Sequence, residues 1–222
     1  MDNLFLITSV INTSNAPLSY TNSRSIYSSK ERFEQTKKTF ESIKEKMPNT
    51  PIFCIECSEL EQDELEYFQN NSTYFLNLYD NECVRQNIQS MSKSLGEGTM
   101  TFCAIEYILS NNLKFTNLIK ISGRYWLSDN FNKDIFSKED SIVIKYIDNN
   151  NDNVFTALYK LPKYSVINYY EFLKNNFDKM YNCIGYEILF ANFIRNEKTE
   201  INSMNPIGLE GLVSVSNTFY NG

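Results

Sequence analysis

Short apolar runs alternate with longer segments of helical periodicity through the first half of the chain, and this alternation limits the fold more than any other feature. Residues 4–10 (LFLITSV), 51–57 (PIFCIEC), 74–79 (YFLNLY) and 117–121 (NLIKI) read as buried strands. Between them, residues 30–46 read as a helix, with Phe33, Thr36, Phe40, Ile43 and the following Met47 at helical spacing, Ser29 as the expected cap and Pro48 as the stop. Residues 59–69 form an acidic helix with Leu60, Leu65 and Phe68 on one side, and residues 99–109 a largely buried one. Strands separated by helices pair in parallel and need cover on both faces, which makes three layers.

The second half adds strands at 141–147 and 154–161, joined by a hairpin turn at 148–153, then helices at 169–180 and 187–196. The tail beyond Glu200 carries Pro206 and several glycines and receives no element. No repeat or interdomain linker interrupts this order. The expectation is one three-layer α/β domain over residues 1–222, a parallel β-α-β half extended by antiparallel strands into a mixed sheet.

The chain has 222 residues and no histidine. Ser-His-Asp and Cys-His catalysis and histidine-ligated zinc are therefore excluded, which leaves carboxylates, tyrosines and lysines for acid–base work and oxygen ligands for any metal. A net charge of −6 argues against a nucleic-acid partner. The five cysteines are odd in number and sit on elements that read as buried, which suggests reduced thiols in a cytosolic compartment. Cys54 and Cys57 form a CxxC inside a strand-like run with no second pair, so they read as small buried apolar groups. The apolar N-terminus lacks a basic flank, and no run reaches membrane-spanning length.

Ligands of open α/β sheets bind outside the C-terminal strand ends. Those ends are Thr8-Ser9-Val10, Glu56, Tyr79-Asp80-Asn81-Glu82 and Ser122-Gly123-Arg124-Tyr125. A Gly96-Glu97-Gly98 turn, preceded by Lys93, opens the helix before the fourth strand and suits an anion, although it reads equally as a flexible helix entry. Neither the P-loop signature nor G-x-G-x-x-G is present, so nucleoside triphosphatase and dinucleotide readings lose their main support.

The opening ITSVI, the segment RSIYSSKERFEQTKKTFESI, the KSLGEG turn and the strand LIKISGRYWL together resemble small GT-A-type glycosyltransferases. The resemblance is to the virus-encoded kind, that of chlorella viruses, which takes part in capsid glycan synthesis. It covers nearly the whole chain. It implies a UDP-sugar donor bound by residues 1–127, a glycan or glycoprotein acceptor bound by residues 128–222, and Mn²⁺ or Mg²⁺ on the donor diphosphate; with the thiols and the lack of a membrane-spanning run, the expected place is the cytoplasm, the host's if the protein is viral. Such enzymes usually carry Asp-x-Asp at the end of the fourth strand, where this chain reads Ser122-Gly123-Arg124. Two accounts stay open. Asp80, perhaps with Glu82, takes the metal from the neighbouring strand end, or Arg124 and Lys93 clamp the diphosphate without one.

In the same frame Thr8 and Ser9 face the nucleoside, with the Val10 backbone beside the base, and Glu56 meets the uridine. Arg24 and Arg32 approach the phosphates, unless Arg32 pairs with Glu31 or Glu34. Gly96 belongs to the anion-binding helix entry. Glu187, an acid opening an apolar helix, is the expected general base; the competing reading is a first-turn glutamate favoured by the helix dipole. Tyr125 and Trp126 are candidates for stacking on a sugar. The alternative function is a catalytically silent nucleotide-binding or capsid-associated module with the same fold.

Overall fold

The computed structural model describes residues 2–216 and 218–222. Strand β1 (Asn3–Ser9) runs between β2 (Ile52–Glu56) and β4 (Asn117–Ser122), with β3 (Tyr74–Asn77) outside β2. All four are parallel, and Ile7 opposite Ile121 and Thr8 opposite Ser122 bring the ends of β1 and β4 level. Beyond β4 the sheet continues through β7 (Leu158–Pro162), β6 (Ser141–Ile144) and β8 (Glu200–Ser203). β7 is antiparallel to both β4 and β6, while β8 is parallel to β6. The sheet is thus mixed and seven-stranded, in the order β3-β2-β1-β4-β7-β6-β8.

Strand alternation divides the core into two layers. Phe5, Ile7, Cys54, Ile119 and Ile121 face helix α1 (Ser29–Lys46) and helix α2 (Gln62–Asn71). Leu4, Leu6, Phe53, Ile55 and Leu118 face the other side, which is covered by α4 (Lys93–Ser110), α6 (Lys163–Lys174) and α8 (Tyr186–Asn196). Lys120 falls on that second face and is completely buried.

Several boundaries differ from the sequence reading. The cap of α1 is Ser28, not Ser29: its hydroxyl accepts from Glu31 N while the Glu31 carboxylate accepts from Ser28 N, a reciprocal pair that Ser29 would place one residue out of register. Helix α3 (Glu82–Gln89) occupies a segment read as loop; only Val84 and Ile88 of it are buried, too few apolar positions to show a period. Helix α4 starts at Lys93, with Ser92 accepting from Leu95 N, so Gly96-Glu97-Gly98 lies inside the helix and is not a turn. Gly96 lets α3 approach closely, since a Cβ there would lie 3.3 Å from Ile88 Cα and require a small shift. The first helix after the hairpin, α6, begins directly after β7, and a separate short helix α7 (Phe177–Tyr181) follows it.

Helix α5 (Lys133–Ser137) was not expected, nor was a second, three-stranded sheet of β5 (Tyr125–Leu127), β9 (Leu209–Leu212) and β10 (Phe219–Asn221), which the tail completes. All five cysteines are free; Cys54 and Cys57 are buried as expected, whereas Cys83 and Cys183 are exposed on polar segments. Among the described residues no helix is long and apolar enough to cross a membrane.

Candidate functional site

A cavity of about 210 Å³ opens at the C-terminal ends of β1 and β4. Its wall brings together eight of the residues expected there from sequence: Thr8, Ser9, Val10, Arg24, Arg32, Lys93, Gly96 and Arg124. The two strand ends are joined directly, since Gly123 N donates to Thr8 O at 2.9 Å. Helix α1 closes on this junction through Thr36 Oγ1, which donates to Gly123 O at 2.7 Å. The tail supplies the opposite wall with Val213, Ser214 and Val215, which the sequence reading did not foresee.

The cations of this wall have different jobs. Arg24 is spent on backbone carbonyls: it donates to Ala16 O at 3.0 Å, Ile88 O at 2.9 Å and Gln89 O at 2.6 Å, and also to Ser90 O. It ties the long loop after β1 to the C-terminus of α3, where a positive charge suits the helix dipole. Arg32 is buried and donates Nε and Nη2 to Val10 O at 2.9 and 2.6 Å and Nη1 to Ser25 Oγ and Ser214 Oγ at 3.2 and 3.0 Å. The pairing with Glu31 or Glu34 does not form, because Glu31 completes the α1 cap and Glu34 pairs with Lys37. Burial, and then the charge of Arg124, pull the Arg32 guanidinium down to about 9 against the opposing pull of Glu56. Arg124 makes one long bond, 3.4 Å to Leu212 O, and packs over the Tyr125 ring. Among the described residues neither guanidinium has a carboxylate within ion-pair distance.

Glu97 is the one carboxylate in this wall. Lys120, fully buried, donates to Glu97 Oε1 at 2.9 Å, Ser122 Oγ at 2.9 Å and Thr156 O at 2.7 Å. Burial raises the Glu97 carboxyl, but Lys120 and then Lys93 outweigh it and hold the group below its ordinary value. Both Glu97 and Lys120 escaped the sequence reading. Their signal was present as a lysine in the apolar strand NLIKI and an acid just ahead of the apolar helix.

A second cavity, about 220 Å³, adjoins the first and shares Tyr20, Lys93 and Glu97 with it. Ser92, Ser94, Tyr186 and Glu187 line it as well. Glu187 lies 3.6 Å from Lys93 Nζ. Burial depresses the Lys93 ammonium, yet the charges of Glu97 and Glu187 prevail and raise it.

Three expected groups lie elsewhere. Glu56 is fully buried behind the cavity, where Oε1 accepts from Ile11 N at 3.2 Å, Cys57 N at 2.9 Å and Ser58 Oγ at 2.6 Å, and burial pushes its carboxyl up. It fastens the ends of β1 and β2 together and does not line the cavity. Asp80 is exposed in the turn closed by Asn81 N on Leu78 O and is absent from both cavity walls. Trp126 lies on the small sheet, with Nε1 3.2 Å from Glu210 Oε2, whereas Tyr125 does reach the first cavity. Among the described residues no group of three or more acidic or cysteine side chains is placed to hold a metal ion.

No protein-family model and no curated protein matches the chain. Solved structures do. The chain is similar to core-mannan synthase A (CmsA/Ktr4) from Aspergillus fumigatus in its Mn/GDP form, with 8% identity over 94% of this chain and 74% of that one and a TM-score of 0.58. It is similar to the CTP:phosphocholine cytidylyltransferase LicC of Streptococcus pneumoniae, with 11% identity over 97% and 95% of the two chains and a TM-score of 0.55. It is also similar to a glycosyltransferase involved in glycosylation of the major capsid of PBCV-1, with 11% identity over 93% and 82% and a TM-score of 0.50. At these identities the likeness is one of fold. The chain has the GT-A-like α/β architecture that its sequence resembles.

Proposed function

We propose that this chain is a glycosyltransferase that moves a sugar from a UDP-sugar to a hydroxyl of a glycan acceptor. The observation that carries the reading is the charge of the first cavity, where Arg24, Arg32, Lys93 and Arg124 face a single carboxylate that is already neutralised from behind by Lys120. Two guanidiniums in one wall, neither with a carboxylate at ion-pair distance among the described residues, suit a diphosphate. Arg124 and Lys93 have donors to give; Arg24 and Arg32 hold the backbone around them.

Nucleotidyl transfer is the other chemistry found among the similar folds. It has less support, because the loop after β1 contains no glycine and the first glycine of the chain is Gly96, so no backbone nest is available for a triphosphate. The divalent ion expected from the resemblance also finds little to hold it: Asp80 is outside the cavity and Glu97 is bonded to Lys120. The residues present do not fit a protein-held Mn²⁺ or Mg²⁺, and the reading adopted is the arginine–lysine clamp.

Thr8, Ser9 and the Val10 backbone, level with the ends of β1 and β4, take the nucleoside side. Arg124 and Lys93 offset the charge that develops on the departing UDP. The second cavity receives the acceptor, where Glu187 takes the hydroxyl proton. Free thiols and the acidic balance fit a reducing, cytoplasmic setting, and capsid glycan synthesis is the role that the resemblance suggests. Calorimetric titration with UDP tests the reading: binding that persists in EDTA supports the clamp, and binding that requires Mn²⁺ overturns it. No binding in either condition overturns the donor assignment. UDP binding with no sugar transfer to any glycan supports the silent module instead.

A further inference from the structure

Lys120 is an unusual residue for the middle of a sheet. It stands on β4 with no solvent exposure, between Leu6 of β1 and Tyr159 of β7 and two residues from the buried Leu118 on the same face. Taking an ammonium and a carboxylate out of water costs several kcal/mol each, and apolar replacements of such pairs are neutral to stabilising, so stability alone does not account for this one. The carboxylate end of the pair explains it better. The Glu97 side chain keeps 15% of its surface exposed and stands in the partition shared by both cavities, while its lysine is sealed behind it.

We propose that Lys120 is a positioning residue that fixes Glu97 as an anion in this partition, where the carboxylate accepts hydrogen bonds from the hydroxyl groups of the neutral sugar being transferred. The inference rests on the donor reading above. A sugar attached to a diphosphate in the first cavity and delivered to an acceptor in the second must pass the partition. Hydroxyls need an acceptor there, and the other charged groups of the first cavity, Arg24, Arg32, Lys93 and Arg124, can only donate. Glu97 is faced by Lys93 on its own helix, Lys120 from β4, Tyr159 from β7 and Tyr186 from α8, with Tyr20 of the first loop and Glu187 at the rim. Lys120 donates three hydrogen bonds, to Glu97, Ser122 and Thr156, and these leave it no freedom to rotate away.

The test compares affinity for UDP with that for the best bound of UDP-glucose, UDP-galactose and UDP-N-acetylglucosamine, by calorimetry on the full chain. Wild type is expected to prefer the UDP-sugar, and Glu97→Gln to lower that preference about tenfold, as for loss of a charge-assisted hydrogen bond. Lys120→Met removes the hydrogen-bonded cation and leaves Glu97 only the charge of Lys93, so burial raises the carboxyl and the preference becomes dependent on pH, recovering as the carboxylate ionises. If the single Lys120 variant fails to fold, Lys120→Met with Glu97→Gln buries no lone charge and is expected to show the low preference without pH dependence. An unchanged preference in Glu97→Gln or in the double variant overturns the role of the pair, as does a wild type that binds no UDP-sugar better than UDP. A wild type that binds UDP not at all overturns the donor reading itself.

Discussion

At the scale of single residues, the strand-end rule located the cavity but not the division of labour within it. Arg124 carries the sharpest consequence. Its side chain has one long bond to lose, so Arg124→Ala is expected to keep the melting temperature within a few degrees while weakening UDP binding about tenfold or more, the value of a charge-assisted contact. Arg32→Ala should differ, since it also releases Val10 O and Ser214, and both stability and affinity should fall.

Lys160 makes a second prediction, on stability. Its ammonium is fully buried on β7 against Lys138 O and Ser141 Oγ, with no carboxylate in contact among the described residues, and burial, then the charge of Lys138, depresses it to about 8. Below that pH it is charged in both the folded and the unfolded chain, and the folded chain carries the full desolvation cost. Between about pH 8 and the ordinary lysine value near 10.5 the unfolded chain binds more protons, so stability rises with pH by up to ~3 kcal/mol. Urea titrations across this window should show the rise, and Lys160→Met should flatten it and gain about 1–3 kcal/mol at pH 7. A slope unchanged in the variant would assign the rise to another group.

At the scale of elements, the parts legible in the sequence were those whose burial is one-sided. Helix α1 showed its period because Phe33, Phe40 and Ile43 face the sheet while its other side is wet, and β1, β2 and β4 showed as apolar runs because both faces are covered. Helix α3 was not legible. It rests on α4 through Val84 and Ile88, and what holds it is external: Gly96 allows the close approach, and Arg24 binds its last carbonyls. Reading Gly96-Glu97-Gly98 as a turn followed the composition, whereas Ser92 and the contact with Ile88 make it helix. Arg24→Ala should therefore act on α3 and the loop after β1 together. Amide exchange is expected to accelerate at residues 12–28 and 82–90 while the central strands stay protected; an increase confined to the loop would show that α3 does not depend on this arginine.

At the scale of the whole molecule, the cavity is completed by a segment far from the strand ends in sequence. Arg32 of α1 donates to Ser214, Ile26 N donates to Ser214 O, and β9 pairs with β5 next to Arg124. Such pairing leaves no local signature: β9 reads LEGL, short and interrupted by a glycine, and its partner β5 lies 84 residues earlier at the Trp126–Glu210 pair, beyond α6 and α8. That glycine is the point at which the tail can be tested. A Cβ at Gly211 would stand 2.4 Å from Tyr125 Cδ1 and 2.7 Å from Arg124 O, and the second of these is backbone that cannot rotate aside. Gly211→Val must push β9 away from β5, taking Val213–Val215 off the cavity and Ser214 off Arg32. The expected outcome is a loss of about 1–3 kcal/mol from strain at a packed contact and a fall in UDP affinity of about tenfold, although residue 211 touches no expected ligand group. The seven-stranded sheet does not use β9, so far-ultraviolet circular dichroism should remain close to that of wild type. Wild-type affinity in a folded Gly211→Val variant would mean that the tail merely covers the site, and that the strand ends, α1 and α4 bind the donor without it.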